Sequence, residues 1–80
     1  MPKRRSEPPI GPVLKELRRK RRLTQEALAS MAETHQNYIG GIERGERNPT
    51  MKTIGRILVA LDVTWTELGQ ILDAKLRRGR

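Results

Sequence analysis

The sequence LTQEALASMAETHQNYIGGIERGERNP, residues 23–49, contains two short helical patterns separated by a few residues. In the first pattern, Leu28 and Met31 are spaced to form one apolar face among small alanines, which favour a helix and allow close packing. The hydroxyl of Thr24 is placed to accept a hydrogen bond from the first turn of this helix. The pattern breaks at residues 33–34, so we expect a turn there.

The second pattern has a narrow apolar stripe and a polar face opposite to it. A helix that begins near His35 or Gln36 turns Ile39 and Ile42 toward a core, because they are three residues apart. Its outward face then carries Gln36 and Gly40 one turn apart, Asn37 and Gly41 one turn apart, and Arg44 at the far end.

The outward face has the chemistry of a surface that reads DNA. The amides of Gln and Asn each present a donor beside an acceptor, which matches the N6 and N7 edge of adenine in the major groove. Two helical glycines cost about 1 kcal/mol each relative to alanine, and close approach of the backbone to a groove wall would account for them. The alternative is a solvated polar face with two incidental glycines. The first interpretation predicts a helix-turn-helix unit whose partner is double-stranded DNA.

The charge of the chain lies mainly at its ends. There are 17 Lys and Arg residues against 9 Asp and Glu, but seven of the basic residues fall within residues 3–5 and 75–80. Residues 6–74 hold ten basic and nine acidic residues, a net charge of +1. Basic tails of this kind either add sequence-independent attraction to phosphates, weakened by salt, or simply keep the protein in solution.

The chain length of 80 residues suits one small domain, with residues 1–9 as a disordered basic arm, 10–74 as the folded domain and 75–80 as a basic tail. Helix 1 is expected over about residues 11–21, with Pro12 in its first turn. The basic run at residues 18–22 suits the carboxyl end of that helix, where the helix dipole favours positive charge. Contact of one or two of these side chains with phosphates is the alternative.

Two more helices are expected after residue 49. Thr50 is predicted to cap helix 4, whose apolar residues close the core: Met51, Ile54, Ile57, Leu58 and Leu61. Thr64 is predicted to cap helix 5, whose apolar stripe is longer than a small bundle needs to bury: Trp65, Leu68, Ile71, Leu72 and Leu76. This stripe favours a homodimer through helix 5. In the alternative, Trp65 and Leu68 only complete the core and the end of the helix frays.

From about residue 13 to residue 68 the chain resembles the Cro/C1-type (Xre-family) helix-turn-helix domain. The resemblance rests on four segments together: Leu17-Arg18, residues 23–29 (LTQEALA), residues 38–45 (YIGGIERG) and residues 48–50 (NPT). It implies an all-α fold, a compact bundle of five helices that contains the helix-turn-helix.

The resemblance also implies roles for single residues. The DNA base contacts would be Gln36, Asn37, Gly40 and Gly41, with position 41 contributing access and no side chain. The phosphate contacts would be Gln25, His35, Tyr38, Arg44, Arg47 and Asn48, of which Gln25 lies at the positive end of helix 2. Arg18 and Glu43 match an ion pair that joins helix 1 to helix 3, and we expect this pair to be structural.

The chain departs from the family pattern at its turns. Glu33-Thr34 stands where the family has a glycine followed by an apolar residue, so Glu33 is expected in the left-handed conformation. His35 occupies the usual Ser or Thr cap position, and Arg22 and Asp62 replace glycines that are common at helix ends.

These features predict a regulator of transcription, a repressor or an activator, that acts as a homodimer on an inverted-repeat operator. The resemblance extends to small phage regulators and restriction-modification controller proteins, so we expect a cytoplasmic bacterial or phage protein associated with the nucleoid. The expected partners are double-stranded DNA, a second copy of the chain and RNA polymerase. We expect no membrane association, because the longest apolar run, residues 57–61, is far shorter than a membrane span.

Other functional classes fit the sequence less well. The chain has one His, no Cys and only scattered carboxylates, so we expect no enzyme activity, metal site, cofactor or small-molecule ligand. Trp65 and Tyr38 are its only aromatic residues, too few for the stacking platforms that bind single-stranded RNA. The main alternative is an antitoxin-like or bridging protein whose principal partner is another protein.

Overall fold

The computed structural model describes residues 8–78 and contains five α-helices and no strand in that range. They are α1 (Ile10–Lys20), α2 (Gln25–Met31), α3 (Gln36–Glu43), α4 (Met51–Leu61) and α5 (Trp65–Arg78). The predicted all-α five-helix fold is therefore confirmed. Of the arm expected over residues 1–9, residues 1–7 lie outside the described range, as do residues 79–80 of the expected basic tail. Residues 75–78 are the last turn of α5, which corrects the expected boundary at residue 74.

One apolar core joins the helices. Its central residues come from all five: Val13, Leu14, Leu28, Ala29, Ala32, Ile39, Ile42, Ile54, Ile57, Leu58, Leu61 and Leu68. α2 packs against α3 and α4, and α1 packs against α3 and α5. This packing holds α3 on its Ile39 and Ile42 side, as the spacing of these residues predicts.

Three predicted positions of apolar residues are wrong. Met31 and Met51 were expected inward but are 54% and 69% exposed; they are the last residue of α2 and the first of α4. Leu68 was expected at the dimer interface, but only 3% of it is exposed. It is part of the monomer core and has almost no surface left for a partner.

Threonine caps set the starts of three helices. The hydroxyls of Thr24 and Thr50 accept hydrogen bonds from the amides of Ala27 (2.9 Å) and Thr53 (3.1 Å). Thr64 and Glu67 form a reciprocal capping box at α5, in which each side chain accepts from the backbone amide of the other, at 3.0 and 2.8 Å. These hydrogen bonds satisfy backbone donors that a helix start leaves unpaired.

The turns use left-handed residues where the family often has glycine. Arg22, Glu33 and Asp62 have φ angles of 57°, 58° and 57°, so the expectation for Glu33 is confirmed. His35 is the N-cap of α3, but its side chain makes no capping hydrogen bond. The start of α3 therefore lacks the hydroxyl cap that α2, α4 and α5 possess.

Gly11 allows α1 to approach the end of α3. A Cβ atom at this position would collide with the carbonyl oxygen of Ile42. Since backbone cannot move as a flexible side chain can, only glycine fits here without separating the two helices. Gly11 did not stand out in the sequence, because the contact is made between distant parts of the chain.

Candidate nucleic-acid interface

The first turn of α3 presents three consecutive polar side chains to solvent. His35, Gln36 and Asn37 are all exposed, while Ile39 and Ile42 on the other side of the helix are 1% and 2% exposed. The amides of Gln36 and Asn37 thus project from a helix whose opposite side is held in the core.

A buried network of charged and polar groups supports α3 from behind. Arg18 of α1 binds Glu43 through two hydrogen bonds, Nε to Oε2 at 2.6 Å and Nη2 to Oε1 at 3.0 Å. Its Nη1 donates to the carbonyl of Leu23 at 2.7 Å, and Nε2 of Gln25 donates to Glu43 Oε1 at 3.0 Å. The ion pair that the resemblance implies is thus present, and it connects α1, the start of α2 and the end of α3.

The charge of Glu43 is stabilised by this network. Burial of the carboxylate by itself raises the pKa of Glu43, but the hydrogen bonds from Arg18 and Gln25 outweigh that effect, and the charges of Arg18 and Lys15 add to them. The pKa of Glu43 is consequently held below its ordinary value. The side chains of Arg18 and Glu43 are 11% and 3% exposed, so their charges compensate each other away from water.

The two glycines of α3 are covered by side chains of the same chain. Gly40 and Gly41 are buried: a Cβ at Gly40 would lie 3.0 Å from Nη1 of Arg44 and 3.4 Å from Oε1 of Gln25, and a Cβ at Gly41 would lie 2.6 Å from Cγ of Arg47. The expected reason for these glycines was approach to a groove wall. In the structure they instead make room for neighbouring side chains of the same chain. The expected reason is therefore corrected to internal packing.

The residues expected to contact phosphates surround α3. Gln25 is the first residue of α2, and Tyr38 is half-buried against the core. Arg44 pairs with Glu46 at 3.1 Å, while Arg47 and Asn48 are exposed in the segment between α3 and α4. The fold brings the predicted base and phosphate residues onto α3 and the segments next to it.

A second surface, which we call the apolar surface, lies on α4 and α5. It comprises Met51, Val59, Trp65, Leu72 and Leu76. Val59 is 82% exposed and Trp65 is 48% exposed, and the Trp65 ring covers Gly55, which lies one turn from both Met51 and Val59. Leu72 and Leu76 continue the Trp65 side of α5 and are half-buried.

Val59 was not predicted at the dimer interface. It could have been, because an apolar residue on the polar side of α4 can be recognised from the sequence. Ile71, expected at the dimer interface, instead lines the groove between α1 and α5 with Val13 and Leu17. Like Leu72, it is partly buried against the monomer core.

The described residues contain no grouping of three or more His, Asp or Glu side chains that could hold a metal ion. No helix between residues 8 and 78 is long and apolar enough to cross a membrane.

Comparison with known proteins identifies the family. Residues 14–68 match the helix-turn-helix family model HTH_3. An uncharacterized HTH-type transcriptional regulator, y4dJ of Sinorhizobium fredii, is 39% identical over 59 residues, which cover 74% of this chain and 77% of that protein. The immunity repressor protein of Bacillus phage phi105 is 35% identical over 54 residues, covering 68% of this chain and 38% of the repressor.

A solved structure shares this fold over most of the chain. The restriction-modification controller protein C.Esp1396I, as a tetramer in complex with its natural 35 base-pair operator, superposes with a TM-score of 0.81 at 32% identity, covering 86% of this chain and 91% of that one. The family model matches more than half of the chain, and the relatives share the same domain. These two findings establish the family. The chain belongs to the Xre-type helix-turn-helix family of DNA-binding transcriptional regulators, which are not enzymes.

Proposed function

We propose that this protein binds a specific double-stranded operator as a homodimer, with α3 in the major groove. The observation that carries the proposal is the pair of exposed amides, Gln36 and Asn37, on a first turn supported from behind by the Arg18–Glu43–Gln25 network. A rigid support of this kind suits direct readout, because hydrogen bonds to base edges require fixed geometry. The operator complex of C.Esp1396I, which has the same fold, supports the assignment.

The contacts divide into two groups. Gln36 and Asn37 would read bases through their side chains, whereas Gly40 and Gly41 are covered by side chains of the same chain and present no side chain to the groove. Phosphate contacts would come from side chains on either side of α3 and would position the helix without reading sequence. They are Gln25, His35, Tyr38, Arg44, Arg47 and Asn48.

The apolar surface supports a symmetric dimer. Val59 and Trp65 are large apolar residues that the monomer leaves exposed, and burial against a second copy would remove them from water. A two-fold dimer would place two copies of α3 in successive major grooves, reading half-sites about 10 base pairs apart in an inverted repeat.

Selection of bound sequences from random duplex DNA tests the proposal. The expected result is a palindromic motif with half-site centres about 10 base pairs apart. Failure to enrich any motif would overturn the proposal. A stoichiometric protein partner on the apolar surface, combined with no motif, would instead establish the antitoxin-like or bridging function.

Variants of the first turn of α3 test the reading residues. Gln36→Ala or Asn37→Ala should cost about 1 to 3 kcal/mol on the selected operator and relax base preference at one position per half-site. Gln70→Ala is the matched control, because it removes an exposed amide from α5. Unchanged base preference in both α3 variants would contradict the assignment.

The position of the operator relative to the promoter decides whether binding represses or activates transcription. We infer repression, which the phage immunity repressor among its relatives supports. Transcription from a promoter that carries the selected operator should fall when the protein is present. A rise would establish activation, with RNA polymerase as the partner.

A further inference from the structure

A groove lies on the surface between α1 and α5, and we call it the α1–α5 groove. Its floor is apolar and consists of Val13, Leu17, Ile71 and Ala74. Leu17 and Ile71 are only partly buried against the core and Ala74 is exposed, so the floor is open to solvent. The groove has a volume of about 240 Å³. This is smaller than the pockets of about 300–1,000 Å³ that enclose small-molecule ligands, so it suits a polypeptide that inserts a few side chains.

The rim of the α1–α5 groove is basic. Lys20, Lys75 and Arg78 face a single carboxylate there, that of Glu16. Nζ of Lys75 lies 3.4 Å from Oε1 of Glu16, and both side chains are largely exposed. Lys20 and Arg78 have no carboxylate within ion-pair distance among residues 8–78. An apolar floor beside uncompensated positive charges is complementary to a segment that carries both apolar and acidic side chains.

The α1–α5 groove lies on the side of α1 away from α3. Gly11 and Arg18 mark the side of α1 that meets α3. At about 100° per residue, Lys20 lies roughly 160–180° around the helix from these two residues, and Leu17 lies roughly 100–120° from them. A ligand in the groove therefore leaves α3 free to bind DNA.

The α1–α5 groove is also separate from the apolar surface. Trp65, Leu72 and Leu76 lie within roughly 40° of one another around α5, whereas Ala74 and Arg78 lie roughly 120–180° from them. A symmetric dimer formed through the apolar surface would therefore leave one groove open in each copy.

We propose that the α1–α5 groove docks an acidic segment of a partner protein. An apolar side chain of the segment packs on Leu17 and Ile71, and its carboxylates pair with Lys20 and Arg78. A nucleic acid would match the basic rim but not the floor, because a phosphate backbone presents no apolar group to it. This contact goes beyond the proposed function, since it gives the protein a partner that it can hold while α3 is on DNA.

The first test measures binding of a labelled synthetic peptide of glutamate and leucine to the full chain by fluorescence anisotropy. The leucines are spaced at i, i+3, i+4 and i+7, so that they form one side of a helix. A peptide with serine in place of leucine should bind about 10-fold more weakly, because it buries no apolar side chain. Equal binding of the two peptides, or binding of neither, would overturn the inference.

The second test locates the leucine peptide by reversal of charge. Lys20→Glu should weaken its binding about 5- to 10-fold, since the variant loses an attraction and gains a repulsion. Arg19→Glu is the matched control, because Arg19 is an exposed basic residue in the same last turn of α1 but does not line the groove. Equal losses in the two variants would mean that the peptide responds only to the overall charge, and would overturn the inference. Thermal melting establishes that each variant is folded.

Nucleic acid is the other ligand that a basic groove could hold. The affinity of Lys20→Glu is therefore also measured for duplex DNA of unrelated sequence. A loss of affinity for this duplex, combined with unchanged affinity for the leucine peptide, would assign the groove to phosphates and overturn the inference.

The selected operator provides the last comparison. Its addition should not displace the leucine peptide, because α3 and the α1–α5 groove lie on different sides of α1. Displacement would place the peptide on the DNA-binding surface and refute the proposed docking site. The peptide measurements on the free chain need no operator, so the docking site and the proposed function fail separately.

Discussion

At the scale of single residues, Arg18 and Glu43 form the ion pair whose loss should destabilise the fold most. Their side chains are 11% and 3% exposed and joined by two hydrogen bonds, so removal of one leaves the other charge buried without compensation. An exposed pair on the same helix end, Arg21 with Asp62 at 3.1 Å, has side chains that are 50% and 88% exposed. Both are pairs of an arginine with a carboxylate, so burial is the main difference between them.

Arg18→Ala should therefore lower the free energy of unfolding by about 3 to 5 kcal/mol. Arg21→Ala, the matched control, should lower it by less than about 1 kcal/mol, because solvent already screens that pair. Urea denaturation followed by circular dichroism measures both. Equal losses in the two variants would show that the buried pair has no special role in stability.

Glu43 should also make stability depend on pH. Its pKa is lowered in the folded state, so its contribution is complete above the ordinary glutamate pKa of about 4.3 and is lost as the pH falls through the lower folded-state value. Urea midpoints measured between pH 7 and pH 3 should thus fall more steeply for wild type than for Glu43→Gln. Parallel pH profiles would contradict this linkage.

At the scale of helices and turns, the chain carries conformational strain at three joints. Arg22, Glu33 and Asp62 are left-handed, a conformation that costs residues other than glycine roughly 1–2 kcal/mol. Asp tolerates it better than Glu, and Asp62 also pairs with Arg21. The turn between α2 and α3 therefore has more to gain from glycine than the turn between α4 and α5.

We expect Glu33→Gly to raise the free energy of unfolding by up to about 1 kcal/mol, since relief of the left-handed strain exceeds the entropy that glycine adds to the unfolded chain. Asp62→Gly should change it little or lower it. Thermal melts of the two variants provide the comparison. A larger gain at Asp62 than at Glu33 would contradict the argument.

The elements themselves could be predicted from local signals. Thr24, Thr50 and Thr64 mark helix starts because a hydroxyl cap acts within one turn, and residue spacing identified Ile39 and Ile42 as inward. The exposure of Met51 could not be predicted, because it depends on how far neighbouring helices reach. For the same reason the sequence left open whether Leu68 lies in the core or at a dimer interface. Gly40 and Gly41 required the structure for the same reason: the side chains that cover them come from outside their own turn.

At the scale of the whole molecule, the buried network and the apolar surface lie on different elements. The network joins α1, α2 and α3, whereas the exposed Val59 and Trp65 belong to α4 and α5. Because Val59 is 82% exposed, it contributes little to the monomer core. The proposed dimer can therefore be tested by substitutions there without disturbing α3.

Val59→Lys should shift the protein from dimer toward monomer in sedimentation equilibrium and leave its thermal melt at low concentration nearly unchanged. A charge buried at a symmetric interface would meet its own copy, which adds repulsion to the cost of desolvation. Gln70→Lys adds the same charge to the exposed side of α5 and should have no effect. A wild-type chain that stays monomeric at high micromolar concentration would refute the dimer.

The support of α3 from its buried side also affects how this protein can evolve. Substitution of Arg18 or Glu43 alone gives a destabilised single mutant, so this pair is expected to change rarely. Gln36 and Asn37 are exposed and take no part in the network, so single substitutions there leave stability almost intact. If these two residues read bases as proposed, new DNA targets can arise by one-step mutation there, while the scaffold that presents them stays the same.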